Sequence, residues 1–278
     1  MCGHCGCSEG NQVTITDLTR RGLDREQSAH RHDHHHHHDD HHHPHEHIPA
    51  SSVSIELGEA VFAKNDRLAA ANRAWFEERG ITALNLVSSP GAGKTTLLER
   101  TIRDVGDELG ISVIEGDQET LHDAERIRAT GVKTVQINTG TGCHLEADML
   151  ARSLDMLAPP DSSLVMIENV GNMVCPSMFD LGEHAKVAIL SITEGEDKPI
   201  KYPHMIRAAS VLLLNKIDLL PHLDFDVDRC IDFARQVNPD LEIFRTSATS
   251  GAGLDGWYAW LLAEVGRKQT PVQKATSS

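Results

Sequence analysis

From Thr82 onward the chain alternates short, nearly unbroken apolar runs with longer stretches in which apolar residues recur every three or four positions. The runs at 83–88, 112–115, 134–138, 164–168, 187–192, 211–214 and 242–245 predict strands, because a strand covered on both faces has no polar side to show. The segments between them, such as 95–109 and 145–157, have helical length. This alternation predicts an α/β fold, doubly wound around a mostly parallel sheet, with ligands at the carboxyl ends of the strands. Ahead of it, Leu57, Val61, Leu68 and Trp75 recur on one face of a predicted helix over 56–79, and Gly80 supplies a stop. Residues 1–50 hold few residues able to build a core. They are expected to form a tail, largely disordered without metal, and 51–278 to fold and work in its absence.

The first predicted strand runs into Ser88-Ser89-Pro90-Gly91-Ala92-Gly93-Lys94-Thr95-Thr96. Apart from Ser88, where glycine is usual, this is the phosphate-binding loop of P-loop NTPases. Gly91, Ala92 and Gly93 let the backbone curl so that successive N–H groups point inward, and the helix that follows adds its positive end. Lys94 would reach the β- and γ-phosphates, and the Thr95 hydroxyl would bind Mg²⁺, with Thr96 next in the same turn. A plain glycine turn is the alternative, but Gly-Lys-Thr here sits between a clear strand and a clear helix.

After the run at 211–214 comes Asn215-Lys216-Ile217-Asp218, the Asn-Lys-x-Asp element of GTP-binding proteins. A carboxylate accepts two hydrogen bonds, and guanine offers its N1–H and exocyclic amine side by side. Adenine offers no such pair, and a polar site left unpaired discriminates strongly. Ser247-Ala248, after the last predicted strand, resembles the loop that contacts guanine O6 through its backbone. Two acids lie at strand ends: Asp117, and Glu168, which stands three residues before Gly171 in the spacing of the Asp-x-x-Gly switch element. Both suit holding Mg²⁺ or orienting the attacking water, while a solvated loop acid is the plainer reading of either. Lys94, Asp117 and Glu168 are thus the candidate catalytic residues.

Composition narrows the partners. A formal net charge of −15 over 278 residues argues against nonspecific binding to nucleic acid or an anionic membrane. No apolar run reaches the ~20 residues needed to span a bilayer, and the start resembles no secretory signal, so a cytoplasmic protein is expected. Three of the six cysteines, Cys2, Cys5 and Cys7, crowd the first seven residues. Soft thiolates at that spacing suit Ni²⁺ or Zn²⁺, and redox pairs usually sit at a helix start instead. Of 18 histidines, 12 fall between His30 and His47. The densest part, His34, His35, His36, His37, His38, His41, His42 and His43, reads as a weak, multivalent nickel store. An expression tag is the rival reading, but the tract is internal and interspersed with acids. In the body, Cys143 and His144 follow Thr139-Gly140-Thr141-Gly142, and Cys175 lies four residues past Gly171. These three form a second candidate metal set beside a nucleotide switch, against the commoner fate of cysteine as a small core hydrophobe. Cys230 reads as packing, and His122, His184, His204 and His222 are given no role.

With these pieces assembled, the sequence closely resembles the HypB family, the GTPases that insert nickel during maturation of [NiFe]-hydrogenase. The likeness covers the N-terminal Met-Cys-x-x-Cys-Gly-Cys and nearly all of 56–265, with its specific stretches at 84–98, 114–118, 126–131, 139–145, 168–176, 179–183, 193–205 and 214–221. The resemblance implies GTP hydrolysis to GDP and a homodimer formed or tightened by GTP. It implies a high-affinity nickel site at Cys2, Cys5 and Cys7, and a nickel/zinc site at Cys143, His144 and Cys175 near the dimer contact. The implied partners are a HypA-type nickel protein and the hydrogenase large-subunit precursor. The related urease-type nickel GTPases carry a Cys-Pro-His motif, absent here, and lack the cysteine-rich start. A nickel buffer with a vestigial nucleotide domain is the reading from another class, opposed by intact Lys94, Thr95 and Asp218.

Overall fold

The computed structural model describes residues 13–19, 50–118 and 122–269, with side chains from Val61 in the second stretch and to Arg267 in the third. Eight strands among these residues form one sheet: β1 (Thr14–Asp17), β2 (Thr82–Ser88), β3 (Ile111–Asp117), β4 (Lys133–Asn138), β5 (Leu164–Glu168), β6 (Ala185–Ser191), β7 (Val211–Asn215) and β8 (Glu242–Arg245), in the order β1-β4-β3-β5-β2-β6-β7-β8. Every pairing is parallel except β1 with β4. All seven predicted strands are present, most of them longer by one to three residues.

β2 is buried along its whole length, and its alternating side chains show how the layers form. Leu84 and Leu86 face a core built with α2 (Lys94–Leu109) and α9 (Leu254–Gln269), through Leu97, Leu98, Trp257 and Leu261. Ala83 and Val87 face the opposite way. Ala83 joins the core under α1 (Ala50–Glu78) and α4 (Ala147–Leu157), and Val87 the core that contains Met205 of α7 (Pro203–Ala208) and Cys230 of α8 (Val227–Val237). The chain leaves β2 toward β3 on one side of the sheet, and β6 lies on the other. That divergence places the β2–α2 loop at a topological switch point.

Two expectations are corrected. The lead-in helix begins at Ala50, and its buried face is not the one the apolar spacing predicts. Val61 is exposed and Leu68 and Trp75 are half-buried, whereas Asn65, Ala69, Asn72 and Phe76 are buried. Asn65 donates to the Asp180 carbonyl (2.7 Å) and accepts from the Ala147 N–H (2.9 Å), and Asn72 donates to the Ala147 and Leu181 carbonyls. The helix thus docks on loop backbone through amides, which a hydrophobic pattern cannot register. The second correction is β1. Four residues of the segment expected to be a tail cover the edge of β4, with Val13 and Ile15 packed on the core there.

Candidate functional site

The P-loop turns through two glycines in the left-handed region, Gly91 at φ +75° and Gly93. Gly93 has φ +94°, and a Cβ there would lie 2.7 Å from the Asn215 amide nitrogen. Its neighbours line a cleft of about 470 Å³ at the carboxyl ends of β2, β3 and β5. Ser88 is fully buried and its hydroxyl bonds to the Ser89 carbonyl, so the small residue makes the turn. Lys94 reaches Glu168 at 3.1 Å, and the Thr95 hydroxyl donates to the same carboxylate oxygen at 2.6 Å. Glu168 therefore occupies the two groups that phosphate and its counter-ion would claim.

Three acids from strand ends converge in this cleft, with Asp123 of a neighbouring helix also on its wall. Asp117 and Glu168 line it, as the spacing suggested, together with Glu115, which the sequence reading passed over. Glu115 stands opposite Glu168 across the β3–β5 pairing and is 2% exposed. Burial first, then the charges of Glu168 and Asp117, push its carboxyl up to about 8. One oxygen each of Glu115 and Glu168 is buried without a hydrogen-bond partner. Buried orphan oxygens beside a hydroxyl are a donor set that fits a hard cation such as Mg²⁺. A second cation stands at the rim. Arg126, on α3 (His122–Arg128), donates to Glu99 (2.7 Å), Thr96 (3.1 Å) and Asp123 (3.1 Å), so the Thr96 hydroxyl is already engaged.

On the other flank Asn215, at the end of β7, is the hub. Its amide donates to the Ala92 carbonyl (3.0 Å) and its oxygen accepts from the Ala248 N–H (3.2 Å). Lys216 donates to the Gly91 carbonyl (2.7 Å). Asp218 is exposed, and one carboxylate oxygen takes the Ser247 hydroxyl at 2.6 Å. The P-loop, the Asn-Lys-x-Asp element and the Ser247-Ala248 turn are thereby tied into one surface. Asp218, Ser247 and Ala248 lie outside the phosphate cleft and beside its Lys216 wall.

The body metal set also assembles. One ligand atom from each of Cys143, His144 and Cys175 lies within 4.8 Å of the others, and the two sulfurs are 3.0 Å apart. Burial lowers His144 to about 4, so its ring is neutral near pH 7 and keeps a lone pair to offer. Its Nε2 is buried with no hydrogen-bond partner, and the ring stacks on Phe179 at 3.9 Å. Two soft sulfurs and an imidazole suit Ni²⁺ or Zn²⁺. Cys175 opens the short helix α5 (Cys175–Met178), and Cys230 is buried in the core as expected. His184 pairs with Glu264 at 2.8 Å, away from either site. The N-terminal motif of Cys2, Cys5 and Cys7 and the tract from His34 to His43 lie outside the described residues.

The two sites share a loop. Gln118, next to Asp117, donates to the Gly142 carbonyl (3.2 Å), and the Thr139 N–H and hydroxyl both bond to the Asp117 carbonyl. From the other acid strand, Asn172 donates to the Cys143 carbonyl (3.3 Å), and Asn169 accepts from the Leu145 N–H (3.2 Å). A Cβ on Gly171 would come within 3.3 Å of Pro90 in the P-loop. The linking amides were missed because nothing in their spacing marks them. Glu115 did carry a signal: an acid inside an apolar strand run, two residues from a candidate acid.

Comparison with known proteins agrees with this geometry. Residues 82–245 match the family described as CobW/HypB/UreG, nucleotide-binding domain. The chain is 50% identical over 286 residues to the hydrogenase maturation factor HypB of Azotobacter chroococcum, covering 96% of this chain and 94% of that one. It is 58% identical over 207 residues to HypB of Escherichia coli strain K12, covering 74% and 71%. Among solved structures, HypB of Archaeoglobus fulgidus superposes with a TM-score of 0.69 at 38% identity, covering 73% of this chain and 99% of that one. HypB of Helicobacter pylori in complex with nickel gives 0.69 at 35%, covering 75% and 98%. A nucleotide-binding domain of this family, and a likeness that runs through nearly the whole chain, make it a member of the HypB hydrogenase maturation factors.

Proposed function

We infer that the chain is a GTP-hydrolysing nickel metallochaperone in which the nucleotide sets the geometry of the Cys143, His144 and Cys175 site. The observation that carries this reading is the pair of bonds from the acid-bearing strands, through Gln118 and Asn172, to the loop that holds Cys143. Guanine preference rests on Asp218, steadied by Ser247. Mg²⁺ would neutralise charge on the phosphates, with Thr95, Asp117 and Glu168 as its candidate ligands. Lys94 leaves Glu168 for the phosphates when nucleotide enters, and an acid so released is free to orient water. Ni²⁺ is the cargo, supported by the nickel complex of the Helicobacter pylori relative, and Zn²⁺ is its competitor at the body site. Cys2, Cys5 and Cys7 form the tighter nickel site, and the tract from His34 to His43 the weak store. A GTP-assembled homodimer, a HypA-type nickel protein and the hydrogenase large-subunit precursor are the partners, in the cytoplasm.

Turnover with Mg²⁺ tests the reading. GTP should be hydrolysed and ATP not comparably, and Lys94→Ala should slow GTP turnover on the order of 10²–10³-fold, the scale of losing one aimed charge. Equal use of ATP would overturn the base assignment. Bound but unhydrolysed GTP would leave a nickel buffer.

A further inference from the structure

We propose that Glu146 orients His144 for metal: its carboxylate accepts the Nε2–H of the ring, so that Nδ1 turns its lone pair toward the two sulfurs. Glu146 is a positioning residue, acting through His144. The proposal rests on the reading of Cys143, His144 and Cys175 as a metal site and adds the partner that sets the imidazole.

The contacts of the ring carry it. Nδ1 lies 3.6 Å from the Cys143 sulfur. Nε2, across the ring from it, is buried and has no hydrogen-bond partner. A neutral imidazole has one N–H and one lone pair. An ion held by the sulfurs and Nδ1 therefore leaves the proton on Nε2, where a buried donor without an acceptor is costly. The ring is not free to turn away, because Phe179 stacks on it with centroids 3.9 Å apart. The acceptor within reach is Glu146, whose Oε1 lies 3.8 Å from Nε2. That is roughly 1 Å longer than an N–H···O bond.

The Glu146 side chain can close that distance, while its backbone is fixed where it stands. The side chain is 40% exposed, and among the described residues its carboxylate pairs with no group other than His144. Glu146 occupies the N-cap position of α4 in an extended conformation, yet makes no capping hydrogen bond. Capping is the plainer use for a residue in that place, and the unmade bond argues against it. Both neighbours are pinned. Leu145 N–H bonds to Asn169 at 3.2 Å, and Ala147 bonds to Asn65 through its N–H and to Asn72 through its carbonyl, each at 2.9 Å. The asparagines that dock the lead-in helix thus also hold the residue behind the metal ligand. A carboxylate behind a ligating histidine fixes its tautomer and strengthens the lone pair that it offers.

Metal titration of the full chain carrying Cys2→Ser, Cys5→Ser and Cys7→Ser tests the role. The probe is Zn²⁺ at fixed GDP, in competition with a chromophoric chelator strong enough to outcompete weak histidine binding. Glu146→Ser removes the carboxylate but supplies a good N-cap, so the urea midpoint of the metal-free chain should hold or rise. Its Zn²⁺ affinity should fall about 10–100-fold, the range for losing such a partner. Glu146→Gln keeps an accepting oxygen without the charge and should lose less. With His144→Ala already in place, Glu146→Ser should cost no further affinity, since its effect passes through the ring. Undiminished affinity in Glu146→Ser would overturn the proposal. An equal loss that persists beside His144→Ala would overturn it too, by making Glu146 a ligand in its own right. Affinity untouched by both His144→Ala and Cys143→Ser would instead strike the body metal reading beneath it.

Discussion

The two halves of the sheet on either side of β2 are built to different ends. Beyond β6, the base-reading half is bonded in advance: Asn215 joins Ala92 to Ala248, Lys216 holds Gly91, and Ser247 steadies Asp218. Beyond β5, the acid half is closed on itself, in an arrangement that nucleotide would undo under the proposed function. Glu168 sits on Lys94 and Thr95, Glu115 is buried beside it with its carboxyl raised, and each keeps an orphaned oxygen. The loops of that half are joined to the metal cluster by single amide bonds from Gln118 and Asn172. Selectivity is gained from rigidity, because a pre-positioned acceptor left unpaired is costly. In the proposed function, coupling would come from contacts that exchange partners when ligand arrives.

The comparison breaks most visibly at Asp218. Asp218→Asn should weaken GTP on the order of a thousandfold and admit xanthosine triphosphate, whose 2-carbonyl accepts from the new amide. Nickel binding to the nucleotide-free chain should be unchanged, because the Asp218 carboxylate bonds to Ser247, on the flank of the cleft away from Cys143. Calorimetric titration with each nucleotide checks this, and retained GTP affinity would break the division.

A smaller effect sharpens the acid half. Glu115 titrates near 8 in the fold against about 4.5 in the unfolded chain. Between those values the fold holds a proton that the unfolded chain has released, so stability contributed by this group is lost as pH rises through the window. Glu115→Gln should therefore unfold at higher urea than the parent without metal or nucleotide. Its advantage should grow by about 2 kcal/mol from pH 6.5 to 8. His144 acts in the opposite sense and lower: its pKa falls from 6.5 to about 4, so stability is lost as pH drops from 6.5 to 4. Denaturation of both chains at several pH values decides the matter, and parallel pH slopes above 6.5 would rule out a buried, protonated Glu115.

Much of this was legible in the residues because local chemistry fixed it. The strand runs are apolar throughout, the P-loop and Asn-Lys-x-Asp elements are contiguous, and Cys143, His144 and Cys175 sit next to motifs already placed. What escaped depends on partners distant in sequence. Asn65 and Asn72 look like solvent-facing positions until the loop at 180–181 and the start of α4 fold against them. Asn172 and Gln118 carry no pattern of their own. β1 is only four residues long and alternates half-buried with exposed positions, a signal too short to stand out in a polar segment. Its discovery changes the expectation for truncation, since removing 1–50 also uncovers the β4 edge and the core beneath Ile15.

The central claim is that nucleotide and metal share a loop, and one measurement addresses it directly. Nickel affinity of the Cys143, His144 and Cys175 site should be titrated in the full chain carrying Cys2→Ser, Cys5→Ser and Cys7→Ser, with GDP and with a non-hydrolysable GTP analogue. The two states should differ within the ~5–150-fold range typical of coupled sites, and metal should shift nucleotide affinity by the same factor. Asn172→Ala should shrink that difference severalfold while leaving GDP affinity intact. Identical nickel affinity in the two nucleotide states would contradict the account.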